Sequence, residues 1–580
     1  MEPVAIFQPD SFYPCGRMLS FSSDPQVAER QMDALIYSLT AFGYIDGHFD
    51  DSERGLIKET IRKLVEVRVD TGMPNATDDV RRDLVARFSK HFVEKFEQVD
   101  KQVDDFFHEP VANDEERDTF VHAKLKQHCF ELFEGFDRVN QEALLEAVDE
   151  LIRADGELHP AELEFRAELV SLLESEDDVL MLDEEESGPP ASILPAAQIA
   201  ADEDHPFFKQ FEFHYSADRE KIEKQVAADL ELVAKMEEQI KTRRAAGAGK
   251  LDGKKHVRDI PAGEAFLDGW THVLRPAPGR SYELTVLGDL HGCYSCLKAA
   301  VMQTRFFEKV EAFQRDPENQ PDPKLVLLGD YIDRGIFSLN GVLRSVMQIA
   351  SRAPGHVYAL RGNHEYYVEY KGQVYGGVKP AEAINSLKPH LPVDVFRRYR
   401  DLFELLPNVL LFDDIMFVHG GIPRDKSLRE KWVDLSSLND DELRFQMMWS
   451  DPSAASVIPA ALQEQTARFP FGKLQFASFM QRVGCRTLIR GHEKVKEGFK
   501  RIYDDEAGLL ITVFSAGGAD NRDLPATSSY RDVTPMALKI QRSADGDTTI
   551  TPFAIAWQSY NHPERNQFHA APLEIEHKTH

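Results

Sequence analysis

Five short apolar runs, each broken off by a glycine beside a potential metal-ligand side chain, constrain this chain more than any other feature. Leu284–Leu287 runs into Gly288-Asp289-Leu290-His291-Gly292, and Leu325–Leu328 into Gly329-Asp330-Tyr331-Ile332-Asp333-Arg334-Gly335. Val357–Leu360 leads to Arg361-Gly362-Asn363-His364-Glu365, Ile415–Val418 to His419-Gly420-Gly421, and Thr487–Ile489 to Arg490-Gly491-His492. Runs this short and this rich in Val, Ile and Leu predict buried strands. The ligand-type residues then fall at the carboxyl ends of strands, where open α/β sheets gather their sites. A structural role accounts for any one of these His or Asp residues. It does not account for the ordered set, because packing gives no reason to repeat Gly-Asp and Gly-His at strand ends.

Asp289, His291, Asp330, Asn363, His419 and His492 together offer carboxylate, imidazole and amide donors, without a thiolate. That set suits two mid-row divalent ions (Mn, Fe or Zn) better than Ca or a structural Cys-zinc site. A shared carboxylate can bring two such ions to about 3.5–4 Å, where they bind an oxyanion and acidify a water. Arg334 supplies a planar fork for phosphate oxygens. His364, beside Asn363, is placed to protonate a leaving alkoxide, with Asp333 orienting its ring.

Gly-Asp-x-His-Gly, Gly-Asp-x-x-Asp-Arg-Gly and Gly-Asn-His-Glu, in this order, resemble the phosphoprotein phosphatase family of metallophosphoesterases. His419-Gly-Gly, Trp449-Ser-Asp-Pro452 and Arg490-Gly-His492 extend the likeness over about residues 265–545. Gly288 through Tyr294 is also similar to the phage lambda-type enzymes, whereas His-Gly-Gly and Trp-Ser-Asp-Pro lean toward the eukaryotic serine/threonine phosphatases. The resemblance implies a four-layer αββα sandwich, a mixed α/β fold with two facing sheets flanked by helices. It implies a first metal on Asp289 and His291, Asp330 as the bridge, and a second metal on Asn363, His419 and His492, with manganese serving in vitro. A metal-bound hydroxide would attack phosphorus, His364 paired with Asp333 would be the general acid, and Asn363 and Arg334 would meet the substrate phosphate. A second phosphate-binding arginine is expected, and Arg468 before Phe469-Pro-Phe-Gly472 is the candidate. Ser515-Ala-Gly-Gly-Ala-Asp-Asn521 departs from the Ser-Ala-Pro-Asn-Tyr segment of the eukaryotic enzymes. The lost tyrosine is the point at which toxin sensitivity and substrate preference would part from those enzymes. The implied substrate is a phosphoserine or phosphothreonine protein. A hydrolase of diadenosine polyphosphates or other nucleotides is the rival enzyme, and a scaffold acting through an acidic helical module is the rival of another class.

That module precedes the motifs. At 580 residues, two or three domains are expected. Residues 1–250 carry 56 acidic and 28 basic side chains, so nearly all of the net charge of −30 lies there. Such acidity excludes nucleic acid as a partner and suits a solvated module that engages a protein. Its apolar spacing is helical and repeats after 109 residues, with Leu35, Ile36, Leu39 and Phe42 falling on Leu144, Leu145, Val148 and Leu151, and Leu56, Ile61 and Leu64 on Phe165, Val170 and Leu173. Asp46-Gly47 and Asp155-Gly156 mark tight turns between helices, and Glu53 and Glu162 match three residues into the next helix. This resembles the TerB-like (tellurite-resistance-type) helical domain, which implies metal ligation by Asp46, Asp50, Glu53, Asp155 and Glu162. Helix capping explains the same residues without a metal.

The expected organisation is an extension over 1–24, a TerB-like domain with two half-repeats over 25–175, an acidic linker plus helix over 176–255, a catalytic domain over 256–555 and a tail over 556–580. The helix is expected at about 217–245, with Ile222, Val226, Val233, Met236 and Ile240 in a seam that Asp229 interrupts. Ala245–Lys255 reads as a flexible join, and the tail histidines His562, His569, His577 and His580 as mobile. Cys293 and Cys296 have redox spacing but read better as small buried residues. Five cysteines, no long apolar run and no basic-then-apolar start point to a cytoplasmic setting away from membranes. A bacterial source fits the pairing of the two domains.

Overall fold

The computed structural model describes residues 21–578 except 23, 46–48, 50, 74, 110, 113–114, 143, 146–159, 174–190 and 201–203. Two compact units emerge: Met1–Glu109 with Arg117–Glu176, and Pro110–Glu116 with Asp177–His580. Among the described residues no helix is long and apolar enough to cross a membrane.

The first unit is helical, as its periodicity predicts. Helices α1 (Pro25–Ile45), α2 (Asp51–Gly72), α3 (Asp78–Phe106), α4 (Arg117–Glu134) and α5 (Pro160–Leu173) are its main elements. Leu35, Ile36, Leu39 and Phe42 are buried on α1, and Phe42 meets Phe165 of α5 edge to face. On α2 the buried stripe is Ile57, Ile61, Val65 and Val69, which turns Leu56 outward. The turn residues Asp46, Gly47, Asp50, Asp155 and Gly156, and the side chain of Glu162, lie outside the described residues.

The second unit is built on two sheets. The six-stranded sheet runs in the order Ser192–Ile193, β12 (Thr548–Ala554), β11 (Met536–Arg542), β3 (Tyr282–Leu287), β4 (Asp322–Leu327) and β5 (Val357–Ala359). The seven-stranded sheet runs β9 (Phe499–Asp505), β10 (Gly508–Val513), β8 (Thr487–Arg490), β7 (Ile415–Val418), β6 (Val409–Phe412), β2 (Thr271–Leu274) and β1 (Ala265–Asp268). All five predicted strands form, and β3, β4 and β5 are parallel neighbours, as are β7, β8 and β10. Two-residue alternation builds the layers. Leu284, Val286, Val326, Phe417, Ile489 and Ile511 pack between the sheets. Leu287, Leu325 and Leu327 face helices on one outer side, while Met416, Val418 and Leu488 face Phe476, Phe479 and Met480 on the other. The fold is thus the mixed α/β sandwich expected, with helices outside both sheets.

The seam helix, α6 (Arg219–Gly247), belongs to this unit. Its buried Ile222, Val226, Val233, Met236 and Ile240 join the core of the six-stranded sheet. Asp229 does not interrupt that seam: it is buried, accepting Arg344 Nε and Nη2 at 2.7 and 2.8 Å. Ala245–Lys255 is not the flexible join expected. Leu251 is fully buried, and the Asp268 carboxylate accepts the Gly249 and Leu251 amides at 3.2 and 2.8 Å. Nor is the tail loose, because Phe568 stacks on Phe337 at 4.5 Å and His569 Nε2 lies 3.2 Å from Asp523 Oδ1.

Candidate active site

The loops after β3, β4, β5, β7 and β8 converge at one edge of the sandwich. Five of the converging residues, His291, Asp330, Asp333, Arg334 and His492, have φ between 41° and 69°. Left-handed backbone at non-glycine residues is strained and persists where its surroundings over-determine it. The glycines here are sites of close approach. A Cβ on Gly362 would stand 2.2 Å from Asp330 Oδ1, and one on Gly491 2.2 Å from Asp289 Oδ1. Buried Glu365 ties the β4 and β5 loops together by accepting the amides of Asp330, Tyr331 and Gly362 at 2.7, 2.8 and 3.0 Å.

All six ligand candidates come together. His291 Nδ1 is bonded to Ile332 O at 3.0 Å, leaving Nε2 3.4 Å from Asp330 Oδ2 and 3.8 Å from Asp289 Oδ2. His419 Nδ1 is bonded to Leu328 O, and its Nε2 faces Asp330 Oδ1 at 3.4 Å. These backbone bonds fix which imidazole nitrogen points inward. Asp330 takes part in two clusters, with His291 and His364 and with His419 and His492, each having its ligand atoms within 4.8 Å of one another.

The residues fit a pair of cations. The Asn363 amide group points among the ligand candidates, one of its atoms 2.9 Å from His419 Nε2, 3.2 Å from His492 Nδ1, and 3.2 and 3.3 Å from the Asp330 oxygens. Asp289 Oδ2 and His492 Nε2 are buried without hydrogen-bond partners. Burial pushes Asp289 up to about 7 and, together with the neighbouring Asp289 charge, raises Asp330 well above the carboxylate range. Burial also holds His291, His419 and His492 well below the usual imidazole value. Neutral imidazoles around two buried carboxylates are a metal-binding donor set.

Beside this cradle, His364 Nδ1 lies 2.7 Å from Asp333 Oδ2, and the other Asp333 oxygen accepts the Ala383 amide at 2.9 Å. His364 Nε2 is buried without a partner. Arg334 Nη1 donates to Glu382 Oε1 and Oε2 at 2.9 and 3.1 Å and to Pro380 O at 3.2 Å, while Nη2 has no close partner. Arg468 Nε donates to Asp451 Oδ2 at 2.5 Å, and Arg490 Nη2 takes the other Asp451 oxygen at 2.7 Å. The Arg468 charge helps to hold down His364 and His492, which places it beside the site.

Two residues here escape the sequence reading. Glu382 holds Arg334 from a segment remote in the chain. Tyr530, on the turn Ser529–Asp532, sets its ring 5.3 Å from His291 and 5.1 Å from Phe514, with Arg334 acting on its hydroxyl. No motif surrounds Tyr530, so only the fold reveals it. Cys293 and Cys296 are both buried, their sulfurs 2.9 Å apart, and Asn521 Nδ2 donates to Cys293 Sγ at 3.0 Å.

Residues 282–496 match the family model described as calcineurin-like phosphoesterase. A probable serine/threonine-protein phosphatase of Encephalitozoon cuniculi is 28% identical over 293 residues, covering 48% of this chain and 58% of that protein. The serine/threonine-protein phosphatase 4 catalytic subunit of Eremothecium gossypii is 28% identical over 250 residues, covering 42% and 70%. A serine/threonine-protein phosphatase of Caenorhabditis elegans is 30% identical over 240 residues, covering 40% and 46%. The chain thus spans little more than half the length of the first of these relatives. The span that matches the calcineurin-like phosphoesterase model thus holds the strand-end motifs and the two clusters sharing Asp330.

Proposed function

We propose that this chain is a metal-dependent phosphomonoesterase that acts on phosphoserine or phosphothreonine in proteins. The observation that supports it most is Asp330 shared between two ligand clusters with the His364–Asp333 pair alongside. Asp289 and His291 would hold one divalent ion (Mn, Fe or Zn), and Asn363, His419 and His492 the other, with Asp330 common to both. The ions would supply Lewis acidity and an activated water.

The chain's own groups do the rest. Arg334 Nη2 and Arg468 present positive charge to the phosphoryl oxygens. To hand a proton to the departing alkoxide at Nε2, His364 must carry one on each ring nitrogen. Burial and the two arginines oppose that form. The Asp333 carboxylate at 2.7 Å and the arriving phosphoryl dianion favour it. Proton transfer is thereby linked to substrate binding. The acidic helical unit would dock a protein partner through its charge, and the TerB-like assignment rests on the same repeat.

The test is a panel of phosphopeptides, dinucleoside polyphosphates and an aryl phosphate, assayed on the full chain reconstituted with each metal. Preference for phosphopeptides supports the proposal. Preference for nucleotides overturns the substrate class, and inactivity with two metals bound favours a scaffold.

A further inference from the structure

One short segment from early in the chain lies at the rim of the candidate site. Pro110–Glu116 follows α3 and precedes α4 in sequence, yet it belongs to the second unit. Val111 and Ala112 form a strand antiparallel to Val378–Lys379, with Val111 opposite Lys379 and Ala112 opposite Val378. Among the described residues, Val378–Lys379 has no other strand partner. Ala112 is buried in a small apolar cluster with Val378, Met448 and Trp449. Glu115 Oε1 accepts the Ala467 amide at 3.2 Å.

Each of these three contacts is one step from the candidate chemistry. Lys379 precedes Pro380, whose carbonyl accepts Arg334 Nη1 at 3.2 Å. Ala467 immediately precedes Arg468. The Trp449 ring stands 6.1 Å from that of His492. The segment therefore ties the stretch leading to one phosphate-binding candidate to the stretch leading to the other. What holds it is generic: main-chain pairing at a sheet edge, a small side chain on an apolar floor, and a carboxylate on a backbone amide. Any extended peptide can pair with such an edge. Lys379, Arg334 and Arg468 add positive charge nearby, which suits an acidic one. The segment itself is acidic, reading Val111-Ala112-Asn113-Asp114-Glu115-Glu116.

We propose that the Val378–Lys379 edge and the Trp449 floor are a docking track for the extended main chain of an acidic phosphopeptide, and that Val111, Ala112 and Glu115 occupy this track as an internal competitor. This rests on the phosphomonoesterase reading above. Because the occupant is part of the chain, its competition depends on how often it is seated. A segment seated about nine-tenths of the time leaves a tenth of the molecules open and raises the apparent KM for a peptide roughly tenfold. A small aryl phosphate has no main chain to pair, so the track does not govern its access.

The test uses the full, metal-loaded chain and compares wild type with Ala112→Arg and Glu115→Ala. Ala112→Arg sets a long charged side chain against Trp449 and Met448 and should lever the segment off the edge. Glu115→Ala removes only the contact with the Ala467 amide. On an acidic phosphoserine peptide, Ala112→Arg should lower KM roughly tenfold and Glu115→Ala severalfold. The kcat/KM for an aryl phosphate and the metal content should stay at wild-type values. A synthetic peptide of residues 108–118 should inhibit Ala112→Arg competitively against the phosphopeptide. Hydrogen exchange gives a readout independent of turnover. Saturating wild type with a non-hydrolysable phosphonate form of the phosphopeptide should speed exchange at Val111 and Ala112 and leave Val378–Lys379 protected. If Ala112→Arg does not fold, Glu115→Ala and the exchange experiment decide. An unchanged peptide KM in the folded variants, slow exchange at Val111 and Ala112 with the phosphonate peptide bound, or lost aryl phosphate turnover in the variants would overturn the competitor and leave the phosphatase reading intact. Wild type and variants that are metal-loaded yet inactive on every phosphate ester would overturn the phosphatase reading and this proposal with it.

Discussion

The Asp229 carboxylate and the Arg344 guanidinium form a two-pronged ion pair, 2.7 and 2.8 Å long, with both side chains at most 2% exposed. Tyr215 adds its hydroxyl to the same carboxylate at 2.5 Å, and Phe211 O and Phe213 O accept from Arg344 Nη1. One residue on α6 and one following the β4 loop are thus locked in the second unit. Removing one partner of a buried pair strands the other charge, at a cost of about 3–5 kcal/mol. Asp229→Ala should therefore lower the unfolding free energy of this unit, measured by urea denaturation, by that much. A loss below about 1 kcal/mol would mean that α6 is a loosely attached appendage.

Asp330 is common to both ligand clusters. Asp330→Asn removes the charge that two cations share, so bound metal and turnover should fall together. Metal analysis by mass spectrometry beside the assay decides it. Retention of two metals with ordinary activity would exclude the bridging assignment.

His364 should separate binding from chemistry. His364→Ala should retain both metals and slow an alkyl phosphate by roughly 10²–10⁴, the usual range for acid–base assistance. An aryl phosphate, whose phenolate leaves without a proton, should lose much less. Equal losses on the two substrates would eliminate the proton-donor role.

Arg334 already spends one amino group on Glu382 and Pro380 O. Arg334→Lys keeps the charge, but one ammonium cannot span Glu382, that carbonyl and a phosphoryl oxygen as a fork does. The inhibition constant for inorganic phosphate should rise about tenfold, roughly 1.4 kcal/mol. An unchanged constant would show that Arg334 does not meet phosphate.

The strand ends were legible because each carries its own local signature: an apolar run, a glycine where a Cβ would collide, and a ligand-type side chain. Gly362 and Gly491 show why, since a Cβ added at either would stand 2.2 Å from the carboxylate oxygen of Asp330 or Asp289. What could not be read depends on pairings distant in sequence. Asp229 looked like a break in an apolar seam because Arg344 lies 115 positions away. Glu382 and Tyr530 reach Arg334 from two separate segments, neither with a pattern of its own. His569 looked mobile for the same reason, as its partner Asp523 lies far upstream.

Metal removal should cost stability as well as activity. Asp289 and Asp330 are buried carboxylates whose charged forms burial opposes, and Asp289 Oδ2 lacks a hydrogen bond. A cation that binds the folded site and not the unfolded chain stabilises by about 2.7 kcal/mol at one hundred times its dissociation constant. Chelation of the full chain should therefore lower the unfolding midpoint of the second unit, and re-addition of Mn should restore it. Asp330→Asn should show a much smaller response to the same titration, because the shared ligand is gone. That comparison separates the site from adventitious binding to surface acids, which the substitution leaves intact. Equal metal-dependent shifts in wild type and Asp330→Asn would place the stabilising ion elsewhere on the protein.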